Sequence, residues 1–171
     1  MDIQMPLKID EVPEELFRRS EAYLDAAENL NTQIVLGEWE SSFQRGQVVL
    51  FLAFHAVELC LKGCLKTLEP NSNPGHHTLP KLAQRLNSLV PGLNYQVPFV
   101  AEPVEPSHDV RGLMEAHDRI AHQQFRYPTD NDGKPWQGTS AYSPKLFEGT
   151  LGHIRERLNR ARRHVAVQVD A

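Results

Sequence analysis

The sequence predicts an all-α fold, a bundle of about five helices. Apolar residues recur every three or four positions in five long segments, which is the helical period. Clusters of proline, glycine and asparagine separate these segments, and none of them alternates like a confident strand. The 171 residues are 40% hydrophobic and 23% charged, values typical of one globular domain. We therefore expect a single domain over 1–171, with its core at about 13–165.

The first two helices have recognisable starts. Pro13 followed by two glutamates predicts a helix over residues 13–31, because proline and acidic groups suit a first turn. Ser41 and Gln44 have capping-box spacing, and no proline interrupts residues 41–68, which predicts a central helix. Four polar residues of this helix recur at spacings of three and four, which predicts that they lie in one stripe along its surface. They are His55, Glu58, Lys62 and Lys66.

The most apolar segment, residues 48–61, lies inside this central helix. It is fourteen residues long and contains His55 and Glu58, so it is too short and too polar to span a bilayer. The N-terminal residues lack the basic and apolar regions of a signal peptide, and we expect a cytoplasmic protein without membrane contact. Cys60 and Cys64 are expected to be reduced core residues.

Three further helices complete the predicted bundle. Helical periodicity predicts a third helix over 78–90 and a last helix over 143–165. The apolar stripe of the last helix consists of Phe147, Leu151, Ile154, Leu158, Ala161 and Val165. Four prolines make 91–106 an irregular connection, and the turn residues in 127–143 predict a second one, with a small hairpin as an option.

Between these connections, Ser107 or Asp109 can cap a fourth helix. Its inward apolar stripe includes His117. Four charged or polar residues at spacings of four, three and four form a second face of this helix, and Arg119 and Arg126 lie beside that face. The residues of that face are Arg111, Glu115, Asp118 and His122.

Three segments in a fixed order resemble the HEPN domains of prokaryotes. They read LAFHAVELCLKGCLK, HHTLPKLAQRL and DRIAHQQFRYP, and the resemblance covers about residues 40–128. It implies an antiparallel helical bundle that forms homodimers and belongs to a toxin–antitoxin, abortive-infection or RNA-processing system. Many HEPN proteins are metal-independent ribonucleases, and others are non-catalytic binding modules.

The resemblance also implies catalytic residues. Ribonuclease members carry an arginine followed four to six residues later by a histidine, and the nearby match is Arg111 to His117. Gly112 stands where a polar residue is usual, and six residues of helix place His117 about 120° away from Arg111. With the charged face included, the catalytic candidates are Arg111, His117, Arg119 and His122. A salt-bridged solvent face, with His117 packed in the core, is the alternative.

Cleavage of RNA without a metal requires proton transfer and stabilisation of a developing negative charge, which histidine and arginine supply. For binding RNA, Arg126 and Tyr127 are candidates because tyrosine can stack on a base, although Pro128 would also end a helix there. Residues 155–163 of the last helix carry five arginines against a single glutamate, and Arg155 and Arg160 are the candidates for phosphate contacts. Complementing the helix dipole is the alternative role of these arginines.

The net charge of −4 excludes global attraction to nucleic acid, so any such binding is local. His76 and His77 lack a nearby cysteine or acidic partner, so we expect neither a metal nor another cofactor. The resemblance to HEPN domains thus implies a homodimer that binds or cleaves RNA, with a cognate antitoxin or nucleotidyltransferase-type protein as partner. A non-catalytic interaction or nucleotide-binding module and a purely structural helical protein remain the alternatives.

Overall fold

The computed structural model describes residues 11–73, 78–98 and 142–169. This part of the chain contains four α-helices and no strand, which confirms the all-α class. The helices are α1 (Val12–Val35), α2 (Phe43–Leu68), α3 (Leu79–Leu89) and α4 (Pro144–Val169). The predicted helix after Ser107 or Asp109 and most of the two irregular connections lie outside these ranges. The single-domain interpretation stays a prediction.

The start of α1 agrees with the predicted one, but its end lies four residues beyond residue 31. Asn31 is buried inside the helix instead of ending it. The chain turns at Gly37, whose φ of 76° suits a residue without a Cβ atom. The amide of Leu36 still donates to the carbonyl of Thr32 at 2.9 Å, so the helical hydrogen bonding continues to this turn.

The central position of α2 is confirmed, because α2 packs against α1, α3 and α4. Its N-cap is Ser42, whose hydroxyl accepts a hydrogen bond from the amide of Arg45 at 3.4 Å, so the predicted cap was one residue early. By length and composition alone the 26 residues of α2 would suffice to cross a membrane. In this fold 67% of its apolar window is buried inside the protein.

Contacts between the helices fix their directions. Phe17 lies against Gly63 while Tyr23 packs edge-on against His55, so α1 and α2 are antiparallel. The thiol of Cys60 lies 4.0 Å from the carbonyl oxygen of Leu158, and Tyr142, just before α4, lies against Gly46. Helix α4 therefore runs parallel to α2 and antiparallel to α1.

The predicted apolar stripe of the last helix forms one side of the core. Its buried residues are Leu151, Ile154, Leu158, Ala161 and Val165. The amide of Asn31 donates to the carbonyl oxygen of Pro144 at 3.1 Å, and the hydroxyl of Tyr142 donates to Asn31. These bonds join the start of α4 to α1. Among the residues that the structure describes, the other sides of α4 face α1, the segment around Gln96 or solvent.

Candidate nucleic-acid interface

Five arginines of α4 are divided between two sides of the helix. They are Arg155, Arg157, Arg160, Arg162 and Arg163. On an α-helix, successive residues are rotated by about 100°, so these positions cannot share one face. The structure shows which of them are neutralised by carboxylates and which are not.

Arg155 lies on the side of α4 that faces α1. Its Nε and Nη2 atoms donate to the two oxygens of Glu28 at 2.9 and 2.6 Å, and Nη2 also lies 2.6 Å from Asp25. The hydrogen bonds to Glu28 raise the pKa of the Arg155 guanidinium above its ordinary value. Such a two-point contact holds the guanidinium in one orientation. Arg155 thus serves as a link between α4 and α1.

Arg162 makes a second link two turns further along α4. Its guanidinium donates to Glu21 and lies over the ring of Phe17, 4.6 Å from the ring centre. The cation is therefore neutralised on one side and packed against an aromatic face on the other.

The other three arginines of α4 form no ion pair with α1. Arg157 donates to the backbone carbonyl of Gln96 at 3.1 Å, a contact that orients the side chain without neutralising it. Arg160 and Arg163 are exposed and, among the residues that the structure describes, neither forms an ion pair. This side of α4 also carries the exposed Glu156, four residues before Arg160, so its three arginines give a net formal charge of +2.

The predicted phosphate contacts Arg155 and Arg160 are therefore not neighbours. Five residues of helix separate them by about 140° around the axis. Arg160 lies on the exposed side, whereas two carboxylates of α1 occupy Arg155. A phosphate contact by either residue stays a prediction.

Two histidines of the exposed side were missed by the sequence interpretation. His153 and His164 are exposed, and with Arg157 and Arg160 they form a series at spacings of four, three and four. Those spacings place all four side chains within about 60° around α4. We call His153, Arg157, Arg160 and His164 the basic row. The spacing of these four residues is visible in the sequence and could have identified the row.

A second polar cluster lies on α2. The carboxylate of Glu58 is 2% exposed, and the ammonium group of Lys62 lies 2.7 Å from it. Nδ1 of His55 lies 3.4 Å from the other carboxylate oxygen, an ion pair only when the imidazole is protonated. The ring of His55 stacks on Phe51 and meets the ring of Tyr23 edge-on. Three residues of the predicted polar stripe thus form a largely buried cluster beside aromatic rings, whereas the fourth, Lys66, donates to the backbone carbonyl of Pro70.

Both cysteines are free and buried, as predicted. A hydrogen bond with Cys64, together with burial, raises the pKa of the Cys60 thiol well above its ordinary value. Cys60 borders a cavity of about 20 Å³ between α1 and α4, large enough for one water molecule. This cavity is too small for a nucleotide.

The other predicted site residues fall outside the described ranges. Catalytic roles for Arg111, His117, Arg119 and His122, and RNA contacts by Arg126 and Tyr127, stay predictions. Within 11–73, 78–98 and 142–169, no three histidine, cysteine or acidic side chains are grouped so that they could hold a metal ion.

No family model, curated protein or solved structure matches this chain.

Proposed function

We propose that this chain is a HEPN-like, five-helix RNA-binding protein that acts as a cytoplasmic homodimer in a prokaryotic defence or toxin–antitoxin system. The observation that carries the proposal is the division of the α4 arginines. Arg157, Arg160 and Arg163 keep their charge on an exposed side, although the chain as a whole carries −4.

An acidic protein binds a polyanion only where its positive charges are not neutralised by its own carboxylates. The α1 carboxylates neutralise Arg155 and Arg162, which leaves a local positive surface on the opposite side of α4. Contacts of arginine with phosphate release counterions, and this release drives sequence-independent binding to nucleic acid. The exposed arginines therefore support binding to RNA better than a purely structural role.

Cleavage would come from residues 111–122 of the predicted fourth helix. A histidine there would take the proton of the 2′-hydroxyl, a second would protonate the leaving oxygen, and an arginine would stabilise the phosphorane. In a homodimer, His117 and His122 of the two copies would supply both histidines. The basic surface of α4 would then hold the RNA, and a cognate antitoxin or nucleotidyltransferase-type protein would be the partner.

Filter binding to single-stranded RNA at about 0.1 M salt tests the binding proposal. Combining Arg160→Gln with Arg163→Gln should weaken binding by about tenfold, because two phosphate contacts are lost. Arg18→Gln combined with Arg19→Gln removes the same charge from α1 and should leave the affinity unchanged. Equal affinities for both double variants would refute a binding role for α4.

Cleavage is tested separately with end-labelled RNA in the presence of a chelator. A ribonuclease of this type should cleave without metal, and His117→Ala or His122→Ala should abolish cleavage while RNA binding persists. Binding without cleavage by the unmodified protein would instead assign the non-catalytic module, which the α4 arginines support equally well.

A further inference from the structure

We propose that the basic row of α4 binds the sugar–phosphate backbone of one single-stranded RNA segment, about five nucleotides long, that lies along the helix. This inference rests on the proposed function and adds the form of the RNA and the length of the contact. It also assigns His153 and His164 as binding residues at the two ends.

The length follows from helix geometry. His153 and His164 are eleven residues apart, which is about 16 Å of helix at about 1.5 Å per residue. Phosphates of one stacked strand follow one another at about 3.4 Å along its axis, so the row matches about five phosphates. Arg157 is already oriented by the carbonyl of Gln96, which reduces the entropy lost when it binds a phosphate.

The flank of α4 towards α1 disfavours a second RNA strand. There, the carboxylates of Glu21, Asp25 and Glu28 face the guanidinium groups of Arg155 and Arg162. Three formal negative charges against two positive ones leave this flank slightly acidic. A duplex that placed one backbone on the basic row and extended towards α1 would bring its second backbone close to those carboxylates. A single strand avoids this repulsion.

The composition of the row favours the backbone over the bases. Arginine and histidine donate hydrogen bonds to phosphate oxygens, and the row contains no phenylalanine, tyrosine or tryptophan, the large aromatic side chains on which bases stack most strongly. We therefore expect similar affinity for oligouridylate and oligoadenylate of equal length.

Fluorescence anisotropy with labelled oligouridylates of about three to twelve nucleotides tests the contact length. Affinity should rise steeply up to about five nucleotides and then only slowly, as further binding registers become available. His153→Gln combined with His164→Gln should shorten this range by about two nucleotides, whereas Arg18→Gln combined with Arg19→Gln should not change it. If affinity depends on oligonucleotide length in the same way for the double histidine variant and the unmodified protein, the basic row is not the RNA-binding site.

A blunt RNA duplex with the same number of phosphates per strand tests the single-strand preference. The single strand should bind at least several times more tightly. If the duplex binds as tightly and its affinity still depends on Arg160 and Arg163, the single-strand inference fails while the proposed RNA-binding function stands. If neither RNA form binds the unmodified protein, the proposed function fails as well.

Discussion

The guanidinium of Arg155 makes a two-point contact with the carboxylate of Glu28, a residue 127 positions earlier in the chain. The contact joins α4 to α1 on the outside of the bundle, beside the core formed by Leu24, Leu151 and Ile154. It removes Arg155 from the arginines that are open to an anion. The same contact thus supports the fold and limits the binding surface.

A double-mutant cycle of Arg155→Gln and Glu28→Gln should give a coupling energy of about 0.5 to 1 kcal/mol in urea unfolding. This range is the upper part of that measured for partly exposed pairs, as expected for two-point geometry. The Arg18–Glu14 pair, exposed and 3.7 Å apart, provides the control and should give a smaller coupling. Equal couplings would show that the geometry of Arg155 contributes nothing.

Replacing Lys62 by methionine should destabilise the protein by about 3 kcal/mol, because the buried carboxylate of Glu58 loses its nearest cation. Adding Glu58→Leu to that variant should recover most of the lost stability, since no buried charge then remains. The free energies of unfolding come from urea titrations. A double variant less stable than Lys62→Met alone would contradict this explanation.

Gly63→Ala should destabilise the protein by about 1 to 3 kcal/mol, although alanine favours helices over glycine. A Cβ atom at Gly63 would come within 2.6 Å of Cε1 of Phe17, so the buried Phe17 ring or the helices themselves would have to shift. Gly152→Ala is the matched control, because Gly152 lies in α4 with no atom near its would-be Cβ. That control should gain up to about 1 kcal/mol, and a similar gain at Gly63 would disprove the close approach.

Stability should fall as the pH rises above about 9, where an ordinary thiol loses its proton. The raised pKa of Cys60 keeps its proton on in the folded state while the unfolded chain releases it, so the stabilisation present below the ordinary value of 9.0 is lost above it. Cys60→Ala should reduce the slope of unfolding free energy against pH between about 8.5 and 10. An unchanged slope in this variant would contradict the role of Cys60.

The cores of the helices could be predicted from the sequence, because an apolar stripe must face the interior whatever the partner is. The five buried residues of α4 belong to the six-residue stripe identified by periodicity, and the sixth, Phe147, is partly buried against the core. The ends were less accurate: α1 continues to the turn at Gly37, and the hydroxyl that caps α2 belongs to Ser42 and not to Ser41. Neighbouring serines can cap the start of a helix equally well, and an asparagine can lie at its end or inside it. Tertiary contacts decide between these possibilities.

The division of the α4 arginines could not be predicted, because the carboxylates that neutralise Arg155 and Arg162 belong to a helix more than 120 residues away in sequence. Only the antiparallel packing of α1 against α4 brings these groups together. The spacing that aligns His153 with Arg157 and Arg160 was present in the sequence. The exposure of these side chains depends on which side of α4 is buried, and the packing of the helices decides that.

The salt dependence of RNA affinity tests the central claim most directly, because its slope reports the number of phosphates neutralised. We expect Arg157→Gln, Arg160→Gln and Arg163→Gln, combined in one chain, to reduce the slope of log affinity against log salt by about 2. The circular dichroism of the triple variant should remain that of the unmodified protein. A slope that is unchanged in the triple variant would contradict the claim that the exposed arginines of α4 bind RNA.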